Sequence, residues 1–175
     1  IRSRPHSVLA GVVMRADRRV DGLAYARATV GGDDATEAVL QIYRDLDRSD
    51  INVLLLSGAA ISWFNIIDIV EVFERVHKPL VCLTYEESPG LEEYIREYFP
   101  QPEEKLCRYA RLGARVSVRL KTGFEVYVRV LGMTADEARI LLNKFTLDGR
   151  VPEPVRVARL AARAALHASQ DSANR

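Results

Sequence analysis

Two short apolar runs set the frame of this chain. Residues 51–56 are nearly all leucine or β-branched, residues 80–83 read Leu-Val-Cys-Leu, and between them apolar residues recur at helical spacing. Runs of this kind suit strands buried on both faces of a parallel sheet. A right-handed crossover through the intervening helix makes them parallel neighbours. The first run ends in Ser57-Gly58, followed by Trp63-Phe64-Asn65 and Asp68. The carboxyl end of a parallel strand, where it passes into loop and helix, is where open α/β sheets build their sites.

The remaining pattern extends this into an α/β chain with a mixed sheet flanked by helices. Residues 7–14 and 22–30 read as an antiparallel hairpin around the polar turn 15–21. Gly31-Gly32-Asp33 breaks the second strand, and Asp34-Ala-Thr-Glu37 has capping-box spacing for a helix ending near Asp50. Residues 65–76 are predicted helical until Lys78-Pro79, and helices follow at 90–98 and 103–112. Strands 115–120 and 125–131 flank Lys121-Thr122-Gly123, and Thr134-Ala-Asp-Glu137 is a second capping box. Pro152-Glu-Pro154 opens a last helix to about residue 168, with a polar tail at 169–175. At 175 residues the expectation is one domain, 1–175.

The net charge of +1 does not announce a nucleic-acid binder, although a local basic face is compatible with it. No apolar run approaches the ~20 residues of a membrane span. Cys82 falls in an apolar strand and reads as a buried thiol, which suits a reducing, cytoplasmic setting. The chain begins with Ile1, so residues upstream of it are expected.

Two-metal phosphodiester chemistry needs several carboxylates converging on Mg²⁺ or Mn²⁺. Asp33 and Asp34 follow the second strand and Asp68 lies in the helix after the third. Each also has a plainer reading: Asp33 as a solvated turn residue, Asp34 as an N-cap, Asp68 as a helix-start acid. Ser57 is not in a Gly-x-Ser-x-Gly elbow, His6, His77 and His167 fit no triad spacing, and phosphate-loop, dinucleotide and zinc patterns are missing. Arg156, Arg159 and Arg163 share a face of the last helix, and with Arg150 and Lys121 they form either a phosphate-tracking stripe or a solvated face. Trp63-Phe64 could stack a base or anchor a loop.

Three segments carry a family likeness. Trp63-Phe64-Asn65-Ile66-Ile67-Asp68 resembles a Gly-Phe-Asn-hydrophobic-hydrophobic-Asp motif, Thr29-Val-Gly-Gly-Asp-Asp-Ala-Thr36 resembles Thr-Val-Asp-Gly-x-Asp-Ala-Thr, and Arg150 to Ala158 is similar to a Pro-Glu-Pro-x-Arg-x-Ala segment. Together they are similar to an archaeal family related to endonuclease V, some of whose members are described as endonucleases acting at deoxyuridine. The resemblance implies a ribonuclease H-like, endonuclease V-like fold, Mg²⁺ or Mn²⁺, and cleavage of DNA, or RNA, at deaminated bases. Asp34, Asn65, Asp68, Pro152, Glu153, Pro154 and Arg156 match its motifs, which leaves Asp34 as the catalytic and metal-binding candidate and Asp68 as a catalytic one. Asn65 and Arg156 join Trp63, Arg150 and Lys121, read from the residues themselves, as candidates toward nucleic acid. Two ligand positions of the family fall on Gly31 and Ser57, its first strand would precede Ile1, and Met133 stands where endonuclease V has a histidine or carboxylate. Glycine offers no ligand and serine a poor one. The expectation is therefore an inherited frame with metal-dependent cleavage weakened or lost, or a relative that binds nucleic acid or protein without cutting. A first strand missing from the sheet would expose an edge through which chains could pair into homo-oligomers.

Overall fold

The computed structural model describes residues 6–173, so Ile1 and the last two residues of the polar tail lie outside it. Strands β1 (His6–Met14) and β2 (Val20–Thr29) form the expected antiparallel hairpin. Helix α1 (Ala35–Leu46) packs on it through the small faces of Ala24 and Ala28. Gly11 permits this approach, because a Cβ there would fall 2.2 Å from Ile42 Cγ2. The helix closes at Asp47 in the left-handed conformation, short of the expected Asp50.

Strand β3 (Leu54–Ser57) runs into a small antiparallel pair, β4 (Ala60–Ile61) and β5 (Asn65–Ile66). Helix α2 (Ile69–Val76) then leads to β6 (Leu80–Thr84), which pairs parallel with β3 from Leu54↔Leu80 to Ser57↔Leu83. The helix predicted over residues 65–76 is thus corrected. It starts only at Ile69, because Asn65 and Ile66 pair back to Ile61 and Ala60. Helices α3 (Glu92–Tyr98) and α4 (Glu103–Arg111) follow, then the hairpin β7 (Val116–Arg119) and β8 (Glu125–Leu131). β8 pairs antiparallel to β6, giving the order β3-β6-β8-β7. Helix α5 (Ala135–Phe145) and helix α6 (Glu153–Ala173) complete the chain, α6 running past the expected residue 168.

β6 separates two apolar layers by the alternation of a strand. Leu80 and Cys82 face one with Leu40, Ile69, Val72 and Ile95, while Val81 and Leu83 face the other with Val126, Val128, Ala138 and Leu142. Burial pushes the Cys82 thiol up to about 11, so it is an inert core group. β3 does not share this enclosure: Leu54, Leu55 and Leu56 are half-buried, not covered on both faces as predicted. Among the described residues, β1 pairs in a ladder with β2 alone and β3 with β6 alone. The two sheets are therefore separate ladders, and α6 packs along β1 while also reaching β3.

Thr134 forms the predicted capping box: its side chain accepts from Glu137 N–H, and Glu137 accepts from the Thr134 N–H at 2.7 Å. Thr134→Ala is expected to cost about 1 kcal/mol in urea unfolding. Among the described residues no helix is long and apolar enough to cross a membrane.

Candidate functional site

The loop after β2 and the hairpin after β3 are joined by side chains. Asp34 has capping-box spacing, but its carboxylate turns away from α1 and makes no cap. Its Oδ1 accepts from Thr29 N–H at 2.9 Å and Asn65 Nδ2 at 2.6 Å, and its Oδ2 accepts from Thr29 Oγ1 at 2.7 Å. The capping role passes to Asn65, whose Oδ1 accepts from the buried Ala35 N–H at 2.9 Å. Asn65 Nδ2 also donates to Thr29 O at 2.9 Å, so one amide fastens β2, α1 and β5.

Burial pushes the Asp34 carboxyl up, yet the hydrogen bonds from Thr29 and Asn65 outweigh it and hold its pKa below the ordinary 3.8. A depressed folded-state pKa means stability that is complete above the unfolded value and lost as pH falls through the folded one. The stability difference between wild type and Asp34→Asn, read from urea melts, should be open near neutrality and shrink on acidification below 3.8.

The other two acids are equally occupied. Asp68 is the N-cap of α2, not a residue one turn inside a helix. Its Oδ1 accepts from Val70 and Glu71 N–H at 3.1 Å, and its Oδ2 meets Arg111 at 3.0 Å. Asp33 lies 2.7 Å from Lys105 Nζ and 3.7 Å from Arg108. Lys105 is buried in α4, and it also donates to Gly32 O at 2.7 Å and Phe64 O at 3.3 Å while sitting over the Phe99 ring. Sequence reasoning passed over this lysine, because nothing in α4 marks it as facing inward.

Between β4 and β5 the chain turns through three successive left-handed residues, Ser62, Trp63 and Phe64, with φ of 45°, 60° and 57°. That conformation costs an L-residue roughly 1–2 kcal/mol. It is held by Gly31 N–H donating to Ser62 O at 2.7 Å and by an aromatic cluster in which Trp63 lies 5.1 Å from Tyr98 and Phe64 5.9 Å from Phe99. Gly31, at φ 73°, lies under this turn with its missing Cβ 3.4 Å from Trp63 Cδ1.

Ser57 belongs to a different constellation, at the carboxyl ends of β3 and β6. A cleft of about 430 Å³ opens there, lined among others by Gly58, Tyr85, Arg115, Arg129, Arg150 and Arg159. Arg159 Nη2 donates to Ser57 Oγ at 2.9 Å, and Arg150 donates to Tyr85 O at 2.7 Å. Both guanidinium groups lie over the Tyr85 ring, at 5.0 Å for Arg159 and 5.9 Å for Arg150. Burial pushes the Tyr85 phenol up, and Ser57, close by but outside hydrogen-bond geometry, opposes this. Arg115, Arg129 and Tyr85 are cleft residues that the sequence reading missed. Tyr85 carried one signal, its place just past the end of a strand; Arg115 and Arg129 carried none.

Arg156 is turned toward acids, with Asp148 at 2.7 Å and Glu153 at 3.1 Å. Lys121 is exposed on the β7–β8 turn, which Thr122 Oγ1 ties to Gly149 O at 2.6 Å beside Arg150. The donor set does not fit a divalent cation. Gly31 has no side-chain ligand, Ser57 Oγ accepts a hydrogen bond from Arg159, and Asp33, Asp34 and Asp68 are taken up by hydrogen bonds and cations. Among the described residues no group of three His, Cys, Asp or Glu is disposed to hold a metal.

The sequence profile of a family described as endonuclease dU matches residues 1–166. A UPF0215 protein of Pyrobaculum calidifontis is 38% identical over 157 residues, which are 89% of this chain and 86% of the relative. A protein of unknown function from Archaeoglobus fulgidus superposes with a TM-score of 0.71 at 23% identity, covering 93% of this chain and 98% of that one. Ciona intestinalis endonuclease V, solved with a 24mer DNA containing an inosine followed by a ribo-adenosine, superposes with a TM-score of 0.58 at 13% identity, covering 93% and 85%. The fold is that of the endonuclease V group, a ribonuclease H-like mixed sheet flanked by helices.

Proposed function

The chain belongs to the endonuclease dU family, and from that premise we propose that it is a nucleic-acid-binding member whose metal-dependent cleavage at deaminated bases is weakened or lost. One observation carries this reading. At the strand end where a metal-binding carboxylate is expected stands Ser57, and its hydroxyl accepts a hydrogen bond from Arg159. A divalent cation placed there would meet positive charge; at 4 Å and an effective dielectric near 20, each guanidinium would cost it about 8 kcal/mol.

The same arginines favour phosphate. Arg150 and Arg159 stand on the cleft rim, and Lys121 extends it along the neighbouring turn. Trp63, on its held left-handed turn, offers a stacking face, and Asn65 keeps that turn in place. Arg156 has a smaller part, since Asp148 and Glu153 already neutralise it. The free thiols of Cys82 and Cys107 suit the reducing cytoplasm as the place of action.

The test pairs two measurements on DNA containing uracil or hypoxanthine. With Mg²⁺ or Mn²⁺ present, no metal-dependent nicking is expected. Binding should weaken steeply as salt rises and fall further in Arg150→Ala. Nicking that needs metal and disappears in Asp34→Ala would establish an active endonuclease instead. Failure to bind any nucleic acid at low salt would overturn both readings.

A further inference from the structure

The cleft at the carboxyl ends of β3 and β6 gathers guanidinium groups from separate parts of the chain. Arg115 precedes β7, Arg129 is on β8, Arg150 precedes α6 and Arg159 lies within it. Most of their partners are neutral. Arg115 donates to Glu86 O at 3.1 Å and Ser88 O at 2.6 Å, Arg129 Nε to Gly113 O at 2.8 Å, and Arg159 to Ser57 Oγ at 2.9 Å. Among the described residues only Arg150 of these four meets a carboxylate, that of Glu86 at 3.1 Å, and Glu86 is the one acid among the lining residues. Most of the positive charge around the cleft therefore has no lining counter-ion.

Tyr85 stands in the wall of this cleft, with two guanidinium groups over its ring.

We propose that the cleft receives a phosphate monoester dianion, the terminal phosphate of a nucleic-acid strand or of a nucleotide. Guanidinium groups pair with phosphate through parallel charge-assisted bonds. A monoester presents three terminal oxygens to groups converging from several sides. An internal diester presents two, carries a single charge, and needs a groove open at both ends. The inference deepens the nucleic-acid reading and rests on it only for the strand to which the phosphate is attached.

The experiment measures binding of inorganic phosphate and of short single strands bearing a 5′-phosphate, a 3′-phosphate or hydroxyls at both ends. Inorganic phosphate should bind, and one phosphorylated strand should bind about tenfold tighter than the hydroxyl strand, the worth of one charge-assisted bond. Arg129→Gln, whose guanidinium is otherwise held by a single carbonyl, should reduce that preference to about twofold or less. Glu86→Gln should tighten phosphate binding, an outcome that damage to the fold cannot imitate. Strands that bind alike in a salt-sensitive way, with no response to inorganic phosphate, would overturn the cleft proposal and leave the nucleic-acid reading standing. Phosphate binding lost in Arg129→Gln, without affinity for any strand, would support the cleft and overturn that reading.

Discussion

Asn65→Ala is expected to lower stability by about 3 kcal/mol, a large share of the roughly 5–15 kcal/mol that holds a typical domain. Asn65 is 0% exposed, and its amide answers three groups from other elements. Truncation leaves the Ala35 N–H, an orphan donor in the first turn of α1, with no acceptor, since the Asp34 carboxylate faces Thr29. Thr29 O and Asp34 Oδ1 each lose a donor as well. Each buried group left unmatched costs about 1–3 kcal/mol, partly relieved where water can enter. Asn65→Asp keeps the acceptor for Ala35 but places a second carboxylate beside Asp34, so it should be destabilising at neutral pH and less so in acid. The measurement is the urea midpoint at constant slope; a loss below about 1 kcal/mol for Asn65→Ala would show that the junction is held elsewhere.

The second large effect is expected at Lys105. Only 6% of this residue is exposed, and its ammonium lies on Gly32 O, Asp33 Oδ1 and Phe64 O. Lys105→Met retains the apolar stem against Phe99 but removes the charge, leaving two carbonyls short of a donor and Asp33 with only the more distant Arg108. The pair is buried only on the lysine side, so the loss comes mainly from the two carbonyls left without a donor, about 1–3 kcal/mol each before water relieves them. Asp33 is exposed and keeps Arg108, so it adds little, and the total expected is about 3 kcal/mol. The Ser62–Phe64 turn should loosen at the same time, seen as faster proteolysis there and altered Trp63 fluorescence. Because Asn65 and Lys105 grip the same loop from two sides, the double variant should lose less than the sum of the single ones. Strict additivity would show that they act independently.

What the sequence disclosed and what it hid divide by distance along the chain. The β1–β2 hairpin, the Thr134 capping box and the β7–β8 turn rest on residues within a few positions of each other, so local patterns found them. Asp34 has the same capping-box spacing as Thr134 and does not cap. An amide from Asn65, far along the chain, competes for the site and wins. Asn65 itself was read as helical from the apolar spacing after it, which carries no mark of a side chain turned inward to bond β2 and α1.

The site divides in the same way. Ser57 at a strand end and Arg159 on a helix face were each visible, but not that the two meet. Gly31 and Ser57, paired in the reading as vacated ligand positions, lie in separate surroundings: Gly31 beneath Trp63, Ser57 beside Arg159 and Tyr85. Restoring acids at both would face unlike obstacles. At 31 the hindrance is backbone strain, which aspartate tolerates better than most residues. At 57 an added carboxylate would meet arginine before it met a metal.

The left-handed turn at Ser62, Trp63 and Phe64 has a bearing on how this chain can vary. Valine, isoleucine and threonine fit that backbone hand poorly, whereas glycine and asparagine enter it with ease. Substitution at these three places is therefore filtered first by handedness and only then by what the side chain would touch.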